Sequence, residues 1–358
     1  MKLLIVITGG TFGSKKNNNS LNVSKKEEIT CIVKELLKEN QKEIKFEYNI
    51  ISPLIILSEN MNSEHWEILI NSILEQIEKS NYHGIIIIHG TDTMPYTANA
   101  IAYIESLSKT YPIILTGANY PVFFENTDAK INLQASLKTI KHFIEENING
   151  SFIVFNGINN DISNTNIHLG TRVKKDKWEQ ECYRSFYIGN YSLGKLKTKQ
   201  KLIFDYSLYN KIFPKEKRYK TILAKFNNSN ILAIKIYPGL DPNILINLFK
   251  NGKKYFLLEI YNSGTAPANN DNYSLINSIK YIIEKGGIVF AISQHEGGKG
   301  AQMNLYETSI NLKNSGLIPL GNMIWESAIP KLMLASANFT KKEDIIKFMQ
   351  TNIAGEIF

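Results

Sequence analysis

Continuously aliphatic stretches punctuate the first half of the chain. Leu3-Leu4-Ile5-Val6-Ile7 and Ile85-Ile86-Ile87-Ile88 have no polar residue at alternate positions, the mark of a parallel strand covered on both faces. Ile113-Ile114-Leu115 and Phe152-Ile153-Val154-Phe155 read the same way. Between these runs, apolar side chains recur at helical spacing. Residues 26–40 carry Ile29, Ile32, Val33, Leu36 and Leu37, and similar patterns occupy 67–79 and 128–147. Strand and helix in this rhythm predict a doubly wound α/β sheet. The period is lost from about residue 191 to 219 among lysines, tyrosines and polar residues, then resumes with the runs 231–236, 255–260 and 287–292. The expected architecture is therefore two-domain α/β. A larger N-terminal domain with a mostly parallel sheet covers 1–190, a linker with β-rich character covers 191–221, and a smaller C-terminal α/β domain covers 222–358.

A chain of 358 residues with 43% hydrophobic residues fits two globular cores. No apolar run approaches the ~18 residues of a membrane span, so no membrane association is expected. Only two cysteines are present, Cys31 and Cys182, too few for a disulfide framework. The N-terminus also enters a strand without the pattern of a secretion signal, and a cytoplasmic setting is expected. The net charge of +8 raises the question of nucleic acid. However, the positive side chains are dispersed lysines, and Arg172, Arg184 and Arg218 are the only arginines. With so few forked donors and no interleaved aromatics, no nucleic-acid partner is expected. The six histidines lack ligand spacing and the two cysteines stand far apart in sequence, so no metal site is expected.

Two turns carry the candidate chemistry. Thr8-Gly9-Gly10-Thr11 follows the first aliphatic run, and His89-Gly90-Thr91-Asp92-Thr93 follows the second. Both sit at strand carboxyl ends, where open α/β sheets bind ligands. A threonine presented there can act as a nucleophile if a base or a lysine activates it. It can equally cap a helix, or the turn can cradle an anion. The absence of a Gly-x-Gly-x-x-Gly sequence weakens a nucleotide reading. Lys174 and Lys175, in Gly170-Thr171-Arg172-Val173-Lys174-Lys175, are candidate partners.

With its flanking Met94, Tyr96, Thr97 and Ala98, the second turn joins the first in a pair that resembles the bacterial L-asparaginases, in particular their cytosolic type I branch. The resemblance extends along the chain in family order. It includes Pro53-Leu54, Ser58, Met61 and Trp66, then Leu115-Thr116-Gly117-Ala118, Pro121, Asp128 and Asn132-Leu133, and the Lys175 segment. In the second domain it includes Ile236-Tyr237-Pro238-Gly239, Ser293-Gln294, Gly298-Lys299, Met323, Glu326 and Lys331-Leu332. The resemblance implies hydrolysis of L-asparagine to L-aspartate and ammonia through an acyl-enzyme. Thr11 would be the nucleophile, with Thr91, Asp92 and Lys175 as the proton relay. Gly10, Ser58, Glu59, Gly90, Thr91, Asp92 and Ala118 would hold the small-molecule amide. A homodimer or homotetramer without a cofactor would follow.

The chain also departs from the family. The loop after Thr11, residues 13–23, contains no aromatic residue, and Ser20 or Leu21 stands where the family carries a tyrosine that closes over the substrate. Thr265 replaces an asparagine, His295 replaces a cysteine linked to allosteric control, and Asn322 replaces an acidic residue. His89 is expected to be structural. The altered loop motivates an alternative substrate, a modified or peptide-linked asparagine or glutamine amide, and a catalytically quiet amino-acid-binding homologue is a further reading. The family members that act on charged transfer RNA carry an additional N-terminal domain. Because this chain begins at its first strand, that role is not expected.

Overall fold

The computed structural model describes the chain apart from residues 18–19, 157–160, 179–180, 190, 199–200, 220, 270 and 296–299, together with the side chains of 16, 17, 20, 21, 23, 177, 178, 181 and 182. Two compact units are formed, Met1–Ala224 and Lys225–Phe358.

The first unit is built on an eight-stranded sheet. In chain order its strands and the two accessory hairpins are β1 (Lys2–Ile7), β2 (Ser14–Asn17), β3 (Ser20–Val23), β4 (Glu47–Ile51), β5 (Gly84–Ile88), β6 (Pro112–Thr116), β7 (Gly150–Asn156), β8 (Thr165–Leu169), β9 (Val173–Trp178), β10 (Glu181–Ser185), β11 (Gly194–Leu196) and β12 (Leu202–Phe204). The sheet order is β12-β11-β8-β7-β6-β5-β1-β4. From β4 to β7 all neighbours are parallel, whereas β8, β11 and β12 are added antiparallel. Every residue of β5, β6 and β7 is buried. Because side chains alternate between faces, that burial requires cover on both sides. The cover comes from α1 (Lys26–Asn40), α2 (Ser63–Lys79), α3 (Met94–Ala102), α4 (Glu105–Ser108) and α5 (Ala129–Glu145). Helix α2 starts where Asn62 accepts a hydrogen bond from the His65 N–H at 3.1 Å, and α1 carries Glu27 and Glu28 in its first turn, favourable to the helix dipole. Residues 191–221, expected as a linker, supply β11, β12 and α6 (Tyr206–Ile212) to the antiparallel edge of this sheet and its aromatic packing of Phe143, Phe152, Phe204 and Tyr209.

The second unit carries a four-stranded, fully parallel sheet of β13 (Ile231–Lys235), β14 (Tyr255–Ile260), β15 (Ile288–Ser293) and β16 (Ile318–Pro319), in that order. Its core includes Leu245, Phe256, Leu258, Ile279 and Val289. Its last two helices are α10 (Trp325–Asn338) and α11 (Lys342–Gln350) when those between the strands are numbered α7 (Asn243–Lys250), α8 (Ile276–Glu284) and α9 (Glu307–Asn314). Lys331 and Glu356, both fully buried, form an ion pair at 2.5 Å. The Lys331 ammonium also donates to the carbonyls of Met349 and Thr351 at 3.1 and 2.6 Å, and Glu356 accepts from the N–H groups of Ile353 and Ala354. Burial alone would push the Glu356 carboxyl up, but the Lys331 charge and hydrogen bond, with the Ala354 and Glu356 N–H groups, outweigh it and hold the group below its ordinary range. Among the described residues, no helix is long and apolar enough to cross a membrane.

Candidate active site

Backbone bonds at the carboxyl end of the first sheet bring the two threonine turns together. The Thr8 N–H and hydroxyl both donate to the Ile88 carbonyl, at 3.0 and 3.1 Å, which ties the end of β1 to the end of β5. On the other side, the Ile56 N–H donates to Thr8 and the Gly10 N–H to Ile56, both at 2.9 Å. Gly10 adopts a φ of 78°, in the region that favours glycine. A Cβ on Gly10 would lie 2.4 Å from the Gly90 Cα, and one on Gly90 would lie 2.5 Å from the Ser58 side chain. The three segments are therefore in direct contact, and Thr11 and Thr91 each follow a glycine of that contact.

No threonine of either turn makes a side-chain capping bond, although Thr93 stands at the N-cap of α3. The short 3-10 turn Thr11–Gly13 has Gly10 at its cap, without a side-chain capping bond. Helix α3 begins after Thr93, whose hydroxyl donates instead to the Ser58 carbonyl at 2.7 Å. Thr91 is buried, and its Oγ1 accepts a hydrogen bond of 2.9 Å from Lys175 Nζ across 84 positions of sequence. The same ammonium pairs with Asp92 Oδ1. The Asp92 N–H donates to Ser58 Oγ at 3.2 Å. Thr91, Asp92, Lys175 and Ser58 are thus one hydrogen-bonded group. With its oxygen accepting from Lys175, Thr91 is left with its own proton directed elsewhere, which makes it a group that can give and take a proton.

The turn after β6 completes this end of the sheet. A Cβ on Gly117 would lie 2.2 Å from the His89 carbonyl, so Gly117 and the buried Ala118 abut the second threonine turn. Asp128 shapes the turn by accepting from the N–H groups of Asn119, at 3.0 and 2.9 Å, and of Tyr120, at 3.0 Å. Burial nevertheless pushes the Asp128 carboxyl above its ordinary range, against these donors. Asn132 links the Gly117 carbonyl to the Asn156 N–H at the end of β7. Glu59 is exposed on the same short turn as Ser58.

His89 lies below the site and is fully buried. The Trp66 indole N–H can only donate, and it meets Thr97 Oγ1 at 3.0 Å. The Gly90 carbonyl can only accept, so the His89 ring carries its proton on Nδ1, 2.7 Å away, and Nε2 of the neutral ring accepts from the Thr97 hydroxyl at 2.9 Å. Burial lowers the His89 pKa to about 4, against the bond to Gly90, so the ring is neutral near pH 7.

Tyr183 was not signalled by the sequence pattern. It is buried on β10, and its hydroxyl donates to the Thr91 carbonyl at 2.7 Å. No periodicity marks it, because the β9–β10 hairpin is rich in charge and carries no apolar repeat.

The loop after Thr11 is a hairpin, β2 paired antiparallel with β3 from Ser14↔Val23 to Asn17↔Ser20. The side chains of Ser20 and Leu21, at the position of the family tyrosine, lie outside the described residues, as do Gly298 and Lys299 of the second unit. At the hairpin's base the Val122 N–H donates to the Phe12 carbonyl at 3.0 Å, and Lys15 Nζ lies 5.0 Å from the Phe123 ring centre. Tyr120, Phe123 and Phe124 are 56%, 47% and 39% exposed in this neighbouring turn.

The chain matches the asparaginase N-terminal family model over residues 2–204 and the glutaminase/asparaginase C-terminal domain model over residues 230–349. Among curated proteins, a glutamyl-tRNA(Gln) amidotransferase subunit of Sulfurisphaera tokodaii is 32% identical over 305 residues, covering 84% of this chain and 64% of that protein. The equivalent amidotransferase subunits of Methanococcus maripaludis and Sulfolobus acidocaldarius are 32% and 30% identical, covering 85% and 99% of this chain and 69% and 75% of theirs. Among solved structures, the thermostable L-asparaginase from Thermococcus kodakarensis superposes with a TM-score of 0.79 at 26% identity, over 100% of this chain and 99% of its own. L-asparaginase I from Vibrio cholerae gives a TM-score of 0.79 at 25% identity, with the same coverage.

Proposed function

The chain belongs to the asparaginase family, and from that premise we propose that it is an amidohydrolase acting on a carboxamide of the asparagine or glutamine type. Thr11 attacks the carbonyl carbon, an oxygen–carbon bond forms as the carbon–nitrogen bond breaks, and the threonine proton leaves with the nitrogen as ammonia. Water then hydrolyses the Thr11 ester, releasing the acid and restoring the hydroxyl. Thr91, oriented by Lys175 and Asp92, carries the proton between these groups. Ser58, Gly10, Gly90, Asp92 and Ala118 line the place where the substrate head group sits, with Glu59 at its edge. The observation that carries this reading is the Lys175 bond to Thr91 Oγ1 at 2.9 Å together with its ion pair to Asp92. A lysine brought across 84 residues onto a buried threonine hydroxyl is poorly explained as a surface charge.

For the substrate, we favour a specialised amide over free L-asparagine. The aromatic-free hairpin after Thr11, the exposed rings of Tyr120, Phe123 and Phe124 beside it, and the similarity to amidotransferase subunits all support a site that admits more than a single amino acid. Free L-asparagine is the second reading, and the full-length likeness to L-asparaginases supports it. The likeness to L-asparaginase I also supports, as part of this second reading, a place beside the type I branch. Ammonia release from L-asparagine, L-glutamine and their N-acyl and peptide-linked derivatives separates the two. The favoured reading predicts kcat/KM at least about tenfold higher for a derivative than for either free amino acid, roughly the net worth of one hydrogen bond. Exclusive use of free asparagine would overturn it.

A further inference from the structure

We propose that Tyr183 is a positioning residue of this site, holding the Lys175 amine on the Thr91 hydroxyl. The proposal rests on the reading of Thr91 and Lys175 given above. In the β9–β10 hairpin, Tyr183 stands directly opposite Lys175. Directly opposed residues of an antiparallel pair project from the same face, so the two side chains leave the hairpin together. Both end on one residue. Lys175 Nζ donates to Thr91 Oγ1 at 2.9 Å, and the Tyr183 hydroxyl donates to the Thr91 carbonyl at 2.7 Å. The hairpin therefore grips Thr91 at two points, one rigid and one flexible. The rigid arm is the phenol, 1% exposed, with its ring edge-on to Phe155 at 5.0 Å and its own carbonyl accepting from the Tyr191 hydroxyl at 2.6 Å. The flexible arm is a lysine whose side chain is 25% exposed and whose four-carbon stem has many alternative rotamers.

The need for such an anchor is visible in the register. Pairing runs Ser185↔Val173, Arg184↔Lys174 and Tyr183↔Lys175, then shifts between Tyr183 and Glu181. A slip of one residue in a strand pair sends every side chain to the opposite face. Lys174 is the immediate neighbour of Lys175, so a slip would offer Thr91 the wrong lysine. The phenol on Thr91 selects the register in which Lys175 arrives. Asp92 also holds Lys175, but Asp92 is 56% exposed and lies in water, where an ion pair fixes geometry weakly.

The test is Tyr183→Phe, which removes only the hydroxyl. Folding is checked by circular dichroism. Misplacement of a reacting group by about an ångström is expected to lower kcat for amide hydrolysis by roughly 10- to 100-fold, with KM within about threefold because substrate contacts are untouched. In a Lys175→Met background the same change should cost less than about twofold, since both residues act through one unit. A readout independent of turnover is reductive methylation of lysines mapped by mass spectrometry. Lys175 should label several-fold faster in Tyr183→Phe than in the wild type, with other lysines unchanged. Unchanged Lys175 labelling, or a full additional loss of kcat in the Lys175→Met background, would overturn the proposal. If labelling responds while neither protein hydrolyses any amide, the positioning stands and the function proposed above fails.

Discussion

His89 serves the site without facing it. Its neutral ring is the middle of a chain from Trp66 through Thr97 to the Gly90 carbonyl, so it fixes the peptide that precedes Thr91. The cost of keeping that ring neutral appears at low pH. A pKa of about 4 in the folded protein lies below the ordinary value of 6.5. The unfolded chain therefore takes up a proton on His89 between pH 6.5 and 4 that the folded chain refuses, and stability falls as pH drops through that window, then levels off. The shift corresponds to about 3 kcal/mol. His168, also fully buried and lowered to about 3, adds to the same trend. Urea unfolding at about pH 7 and about pH 4.5, on either side of most of that window, should show a smaller acid-induced loss in His89→Gln than in the wild type, and an equal loss would contradict the account. At this scale, local motifs in the sequence present Thr11, Thr91 and Asp92 as candidates, whereas Ser58 is named only through its family segment. Lys175 became identifiable through its family segment rather than through spacing. Tyr183 was not legible, because its role depends on the hairpin register, which no local pattern encodes.

At the scale of elements, the site is the meeting of two strand-to-turn corners. Their closeness depends on the absence of side chains at Gly10 and Gly90. Gly10→Ala would place a methyl group 2.4 Å from the Gly90 Cα on a backbone at φ 78°. The corners must then separate, carrying Thr11 away from Thr91. Amide hydrolysis should fall at least about 100-fold while the circular dichroism spectrum is preserved. Activity within about tenfold of the wild type would show that the contact is dispensable. Strands β1, β5, β6 and β7 were readable because burial on both faces demands continuous apolar sequence. Strand β4 escaped the pattern because its Glu47-Tyr48-Asn49-Ile50-Ile51 sequence is half exposed at the sheet edge. Strand β8 escaped for a different reason. Its Thr165, Asn166 and His168 are buried polar residues, satisfied by bonds such as Asn156 to Thr165 and His168 to Ser185 that only the folded sheet supplies. The hairpins β2–β3 and β9–β10, which frame the site, are dominated by polar and charged residues and carry no hydrophobic period.

At the scale of the whole chain, the family membership spans both units, and the chemistry is legible further than the substrate. The groups proposed to react are held by turns whose geometry follows from glycine, burial and paired charges. On the proposed reading, substrate choice rests with the hairpin after Thr11 and the exposed rings of the 120–124 turn, where sequence pattern constrains packing least. The central claim is that Thr11 becomes acylated. It is tested most directly by mixing the protein with the most rapidly hydrolysed carboxamide, quenching in acid within a turnover and mapping the peptides by mass spectrometry, with Thr11→Ala treated in parallel. The account predicts an acyl group of substrate mass less ammonia on Thr11, and neither the adduct nor ammonia release in the variant. An acyl group on another residue, or undiminished ammonia release by Thr11→Ala, would contradict it.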